Sequence, residues 1–125
     1  IINRLLPLYK KSPENPVYTI NLVTALQENK QYTEAEKILE LFIRSHPEHI
    51  LAQIIAIDLY KALKDRAKEH FSKAQYLALQ GRFKEATQEM GSALIYTDNP
   101  LDQARYTAIM GRYQKDDLRL KALNK

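Results

Sequence analysis

The chain has 125 residues, a net charge of +4 and no cysteine. This length suits one domain, and an apolar fraction of 45% beside 27% charged residues is typical of a folded chain, not a disordered one. The absence of cysteine excludes disulfides and thiolate zinc sites. Lys and Arg form no stripe interleaved with aromatic residues, so we expect no nucleic-acid site. No apolar run approaches the roughly 18 residues of a membrane span.

Apolar residues at helical spacing predict a succession of helices, and no segment alternates as a strand would. The first predicted helix covers residues 1–11. Asn15 is the expected N-cap of the second helix, which Pro16 opens and which ends near Asn29. The core face of this second helix carries Ile20, Val23 and Leu26.

The third predicted helix covers residues 33–45, and Pro47 is expected to open a fourth over residues 48–63. Asp65 should cap a fifth helix, which ends at Gly81 because glycine readily adopts the left-handed conformation of a C-terminal turn. The predicted inward residues of the third and fifth helices are Ala35, Ile38, Leu39, Phe42, Ile43, His70, Phe71, Ala74 and Leu77.

The sixth predicted helix covers residues 83–96. Asn99 or Asp98 is then expected to cap a last helix that begins at Pro100 and reaches Leu123. The chain is therefore predicted to be all-α, with about seven to eight antiparallel helices.

Two hexapeptides that lie 51 residues apart match in character, residues 30–35 (KQYTEA) and 81–86 (GRFKEA). Where two antiparallel helices cross closely, only a small side chain fits, and Ala35 and Ala86 supply it. The aromatic residues Tyr32 and Phe83 would fill the base of each hairpin. A proline follows the second helix of each copy and ends it. This pattern resembles the tetratricopeptide repeat, whose period is about 34 residues.

The two copies are one and a half such periods apart, which predicts that one helix belongs to two hairpins of an α-solenoid. The predicted organisation is the end of a preceding repeat (1–15), a full repeat (16–49), a repeat that shares its second helix (50–80), a last repeat (67–99) and a C-terminal helix (100–125). Because the first residues lie inside a repeat and include no initiating Met, we expect the chain to be part of a longer protein.

Few residues of the sequence are candidates for a metal-binding or catalytic site. The run His46-Pro47-Glu48-His49 holds metal-capable side chains, but no HExxH pair accompanies it, and we interpret it as an exposed turn between repeats. His70 is expected to be a hydrogen-bonded core residue. Adjacent Asp116 and Asp117 point apart on a helix and are interpreted as a solvated pair. No nucleophile motif or phosphate-binding loop occurs, so no catalytic site and no cofactor are predicted within this chain.

In repeats of this kind the first helix of each pair lines the concave face. The residues predicted to line a protein-binding groove there are Asn21, Thr24, Gln27, Asp58, Lys61, Lys68, Ser72 and Gln75. They do not form the Lys/Asn/Arg clamp that grips a C-terminal carboxylate, which disfavours an adaptor for chaperone tails. Core packing is expected to account for most of the tyrosines that face neighbouring helices, and a groove could use one or two of them. These tyrosines are Tyr32, Tyr60, Tyr76 and Tyr106.

The sequence HFSKAQYLALQGRFKEA of residues 70–86, followed by DQARY at 102–106, resembles the C-terminal tetratricopeptide domain of the BepA family. Members are bacterial periplasmic zinc metalloproteases whose catalytic domain, with its HExxH motif, precedes the repeat domain. The resemblance covers most of the chain and is specific from about Tyr60 onward. This chain departs from the family pattern at Gln80, where arginine is usual, and in its longer, more basic final helix.

The resemblance implies a periplasmic parent protein that degrades or assists stalled outer-membrane β-barrel proteins, with zinc held in the upstream protease domain. The implied partners of this chain are those β-barrel substrates or their assembly machinery, together with the protease domain. The alternative is a stand-alone adaptor or scaffold in secretion or pilus assembly, with no protease attached.

Overall fold

The computed structural model describes residues 1–124. Seven α-helices and no strand make up this part of the chain. The helices are α1 (Ile2–Lys11), α2 (Pro16–Glu28), α3 (Tyr32–Ser45), α4 (Ile50–Leu63), α5 (Arg66–Leu79), α6 (Phe83–Tyr96) and α7 (Pro100–Leu123). The predicted all-α class is therefore confirmed. None of these helices is both long enough and apolar enough to cross a membrane.

The helices form two compact units, which we call unit 1 (residues 1–63) and unit 2 (from Lys64 onward). Unit 1 contains α1 to α4 and unit 2 contains α5 to α7. Within each unit every helix packs against the next one in sequence. Connections of three or four residues leave room only for a reversal of direction, so neighbouring helices within a unit are antiparallel.

The two units repeat the same succession of helices. Helices α5, α6 and α7 begin 50 or 51 residues after α2, α3 and α4. The hairpin turns also match, because Lys30 has φ +61° and Gly81 has φ +78°. In each turn the next residue donates its backbone N–H to a leucine carbonyl five residues back, at 2.8 Å in unit 1 and 3.0 Å in unit 2. The matching hexapeptides thus mark a duplicated helical hairpin, while the sharing of one helix by two repeats stays a prediction.

The turn residues give a matched pair of stability predictions. Gly81→Ala is expected to lower the free energy of unfolding by about 1–2 kcal/mol, because a Cβ is disfavoured in the left-handed conformation. No atom lies within 4 Å of a Cβ built there, so the cost comes from the backbone alone. Lys30→Gly relieves the same strain and is expected to raise stability by up to about 1 kcal/mol. Urea denaturation measures both changes. A Gly81→Ala variant as stable as the parent chain would contradict the left-handed conformation of Gly81.

The core of unit 1 is built from one face of each of three helices. Its buried members are Leu22, Val23, Leu26, Ala35, Leu39, Phe42, Ala52, Ala56, Leu59 and Tyr60. Helix α1 adds partly buried side chains, which are Ile2, Leu5, Leu6 and Tyr9. Ala35 has no exposed surface, as expected of a side chain at a close helix crossing.

The core of unit 2 has the same plan with a different distribution of large side chains. Its buried members are Ala74, Ala86, Met90, Ala93, Tyr106, Ile109 and Tyr113. Ala86 is fully buried, like Ala35 in unit 1. The counterparts of Phe42 and Ala56 are Ala93 and Tyr106, 51 and 50 residues later. Each unit therefore combines one aromatic residue and one alanine at these positions, in opposite order, which conserves core volume.

The predicted N-caps of α2, α5 and α7 are confirmed, but the predicted start of α4 is not. The side chains of Asn15, Asp65 and Asn99 accept hydrogen bonds from the first backbone N–H groups of α2, α5 and α7. The predicted start of α4 is wrong, since the helix begins at Ile50 and not at residue 48. His49 caps it by accepting the Ala52 N–H at Nδ1, 3.2 Å away.

Candidate functional site

Three of the predicted groove residues lie on α2. Asn21 and Thr24 are exposed and Gln27 is half-buried. With Val17 and Glu28, the residues Asn21 and Thr24 form an exposed line at helical spacing, which we call the α2 stripe. The opposite face of α2 forms the core of unit 1, so the stripe points away from that core. Its amide, hydroxyl and carboxylate groups can exchange hydrogen bonds with the backbone of an extended segment.

Two further predicted residues, Asp58 and Lys61, are exposed on α4. They continue a line that begins with Leu51 and Ile54, which are 50% and 38% exposed. We call these four residues the α4 stripe. It is aliphatic in its first half and charged in its second, and it lies opposite the buried face of α4. The fold of unit 1 therefore leaves two aliphatic side chains, Leu51 and Ile54, exposed on the outer face of α4.

Leu51 is not among the residues predicted from the sequence, although the sequence around it carries a signal. The first eight residues of α4, ILAQIIAI, include a single polar residue, and that residue, Gln53, is buried. A run whose single polar residue is buried leaves the helix with aliphatic side chains on its outer side as well as in the core.

The remaining three candidates lie on α5 in unit 2. Lys68 and Gln75 are half-buried, and Ser72 is buried with 3% of its surface exposed. A partner cannot reach Ser72, so we remove it from the candidate surface. Ser72 lies inside because the buried residues of α5 are all small, with Ala67 and Ala74 as the other two. Small side chains let neighbouring helices approach closely, and a serine serves this purpose as well as an alanine does.

Polar and aromatic side chains of α5 and α6 form a cluster of contacts, whose members are His70, Glu89, Tyr96 and Arg66. His70 Nδ1 lies 2.6 Å from a carboxylate oxygen of Glu89, which confirms the hydrogen bond predicted for this histidine. The His70 ring is half-buried and stacks on Tyr96, with ring centroids 5.4 Å apart. Arg66 donates from Nη1 to the Tyr96 hydroxyl over 3.2 Å. These contacts hold the hairpin of unit 2 together at its surface.

Two of the four highlighted tyrosines belong to the cores. Tyr60 is buried and its hydroxyl donates to Glu40 Oε1 at 3.2 Å. Burial first, and then the negative charges of Glu40 and Glu36, hold the pKa of Tyr60 far above its ordinary value. Burial, with a smaller effect of Asp102, raises the pKa of Tyr106 to about 12. Both phenols therefore stay neutral near pH 7.

The remaining highlighted tyrosines, Tyr32 and Tyr76, are half-buried.

The turn before α4 is exposed at Pro47 and Glu48, as the sequence indicated, but not at its two histidines. His46 and His49 are half-buried, and both pack on Phe42. His46 stacks on that ring with centroids 4.5 Å apart, and His49 meets its edge at 5.2 Å. The two histidines are half-buried because the turn packs against Phe42, near the end of α3. Within residues 1–124, no three His, Asp or Glu side chains converge in a way that could hold a metal ion.

The candidate surface in unit 1 thus consists of the α2 stripe and the α4 stripe, on two helices that both pack against α3. In unit 2 it is reduced to Lys68 and Gln75. Comparison of the chain with models of known protein families, and with curated proteins, finds no match.

Proposed function

We propose that this chain is a protein-interaction domain of the tetratricopeptide type, and that the α2 and α4 stripes bind an extended segment of another protein. One observation carries the proposal. In unit 1, two helices anchored in one core expose polar and aliphatic side chains at regular spacing. Helices held by a core are rigid, so little conformational entropy is lost when a segment binds to them.

The duplicated hairpin supports the assignment to tetratricopeptide repeats. In both copies the aromatic residue of the hexapeptide opens the second helix, as Tyr32 and Phe83 do. The alanine three positions later is completely buried in both. The proposed packing role of Ala35 and Ala86 requires this arrangement.

In the proposed mechanism each stripe has a separate task. The aliphatic half of the α4 stripe, Leu51 and Ile54, would bury apolar side chains of the bound segment. Asn21 and Thr24 of the α2 stripe would pair with its backbone groups, as in other modes of recognising extended peptides. Asp58 and Lys61 would select segments whose charges complement theirs.

We further propose that the parent protein is a periplasmic zinc metalloendopeptidase involved in assembly and quality control of outer-membrane proteins. The resemblance of residues 70–86 and 102–106 to the BepA family supports this. This chain would hold the substrate or the assembly machinery, and the zinc and its ligands would belong to the protease domain. A stand-alone adaptor in secretion or pilus assembly is the second candidate. The encoding gene distinguishes the two, because only the first requires an HExxH motif upstream of Ile1.

The binding proposal can be tested with fluorescent peptides that copy strands of outer-membrane β-barrels. Fluorescence anisotropy should show that the chain binds them and that Ile54→Asp weakens binding at least about tenfold. The substitution places a carboxylate where the bound peptide would cover an aliphatic side chain. Ile95→Asp is the matched control, because Ile95 is 79% exposed on α6, outside both stripes. Circular dichroism would verify that both variants fold. Equal affinity of the two variants, or no binding by the parent chain, would rule the proposal out.

A further inference from the structure

The turns before α2 and α4 have the same backbone structure. In the first turn, Asn15 donates its backbone N–H to the carbonyl oxygen of Ser12 at 3.0 Å, and in the second, His49 donates to that of His46 at 3.1 Å. Each turn encloses the dipeptide Pro-Glu, which is exposed in both. Asn15 and His49 lie 34 positions apart. This is the period of the proposed tetratricopeptide repeat, in which α2 and α4 would be equivalent helices.

A buried side chain of the following helix closes each turn. Gln53, the fourth residue of α4, donates from Nε2 to the carbonyl oxygen of Pro47 over 3.2 Å. Thr19, the fourth residue of α2, places its hydroxyl 3.3 Å from the carbonyl oxygen of Pro13 and 3.0 Å from that of Asn15, and these two acceptors share its one hydrogen. Neither Gln53 nor Thr19 has exposed surface. We call the contacts that Gln53 and Thr19 make with the two prolines the turn-closing bonds.

Helix α7 has the same kind of bond without the candidate surface. Its fourth residue, Gln103, donates from Nε2 to the carbonyl oxygen of Thr97 at 3.3 Å. As in α2 and α4, this acceptor lies six residues before the donor. Helices α3 and α6 have alanine at the fourth position, namely Ala35 and Ala86. Because α7 carries neither stripe, the bond of Gln103 provides a control for the bond of Gln53.

We propose that Gln53 and Thr19 are positioning residues, which hold the first turns of α4 and α2 and thereby the residues that begin the two stripes. Leu51 and Val17 stand two positions before them and are 50% and 62% exposed. Exposed side chains are not fixed by burial, so their placement depends on the backbone that carries them. Each turn-closing bond joins the preceding turn to the first helical turn. The consequence for binding rests on the proposed function, whereas the hold on the first turns rests on the hydrogen bonds alone.

Hydrogen exchange of the full ¹⁵N-labelled chain, measured at one pH by nuclear magnetic resonance, tests the hold on α4. Gln53→Met keeps the length of the side chain and removes the donor. The amides of His49 and Ala52 should then exchange about fivefold faster, the effect of losing one neutral hydrogen bond. Gln103→Met removes the corresponding bond from α7 and should leave both rates unchanged. Unchanged rates in Gln53→Met, or an equal rise in Gln103→Met, would overturn the proposal.

The hold on α2 is tested with a pair of variants at Thr19. Thr19→Val has nearly the same shape but no hydroxyl, and the amide of Asn15 should exchange about fivefold faster in it. Thr19→Ser keeps the hydroxyl and should retain the parent rate. If the Asn15 amide exchanges equally fast in both variants, the hydroxyl does not hold the turn and the proposal is wrong for α2.

Fluorescence anisotropy with the β-barrel strand peptide tests the consequence for binding. Gln53→Met should weaken binding by up to about fivefold, because molecules with a released first turn do not present Leu51 to the peptide. Gln103→Met should keep the parent affinity, whereas a purely structural role of these bonds would affect both variants alike. Equal affinities of Gln53→Met and the parent chain would refute the positioning role. Faster exchange in Gln53→Met, in a parent chain that binds no peptide, would support the hold on α4 and refute the proposed function.

Discussion

Replacing Tyr106 with alanine is expected to lower the free energy of unfolding by about 3–5 kcal/mol, as removal of a buried aromatic side chain does elsewhere. Tyr106 is 2% exposed in the core of unit 2 and stacks on Phe71, with ring centroids 4.9 Å apart. The substitution would leave a cavity. The buried residues of the same core cluster include Ala74, Ala86 and Ala93, whose side chains are too short to fill it. Urea denaturation followed by circular dichroism measures the change.

Tyr106→Phe is the matched control, because it keeps the ring and removes only the hydroxyl. We expect this variant to lose much less stability than Tyr106→Ala, because the ring that fills the core of unit 2 is kept. A Tyr106→Ala variant that loses less than 1 kcal/mol would show that the ring does not fill the core of unit 2.

The second large effect is expected where the hairpin helices cross. Ala35→Leu and Ala86→Leu should each lower the free energy of unfolding by about 1–3 kcal/mol, because both alanines have no exposed surface and a larger side chain must displace its neighbours. Thermal melting of each single variant measures the cost. The same change at the exposed Ala104 of α7 is the control and should be nearly neutral, since alanine and leucine both favour helices.

If Ala86→Leu melts at the same temperature as the parent chain while Ala104→Leu also does, the close crossing at Ala86 is refuted. A loss confined to one of the two buried alanines would show that the hairpins are not equivalent, and would remove the packing argument for tetratricopeptide repeats.

The helices were largely predictable because their ends are specified locally. Helix α6 begins and ends at the predicted residues, and the Asn99-Pro100 pair marks the start of α7 through a cap and a residue pre-set for the first turn. The inward positions of α3 followed from helical spacing in the same way. Ala35, Leu39 and Phe42 are all buried.

The turn before α4 was not predictable from local preferences. Proline commonly opens a helix, so Pro47 suggested a start two residues too early. The actual cap is a histidine, a residue rarely expected there, and its position depends on packing against Phe42 on another helix. Such a tertiary contact leaves no pattern within a few residues of sequence.

The candidate surface was predictable only in part, for a related reason. Helical spacing places Asn21 and Thr24 on one face of α2 and correctly indicates that this face is exposed. On α5 the apolar pattern is weak, so spacing could not distinguish the buried Ser72 from its half-buried neighbours Lys68 and Gln75. Burial of small polar residues depends on how closely two helices approach, and this is determined by the partner helix.

Mapping the amide chemical shifts of the ¹⁵N-labelled chain during titration with a β-barrel strand peptide tests the proposed interaction surface most directly. We expect saturable shifts concentrated on the α2 and α4 stripes and no change at the exposed residues of α6. Among the most affected residues should be Asn21, Thr24, Leu51 and Ile54. Shifts centred on α6 or α7, or a spectrum that the peptide leaves unaltered at millimolar concentration, would contradict it.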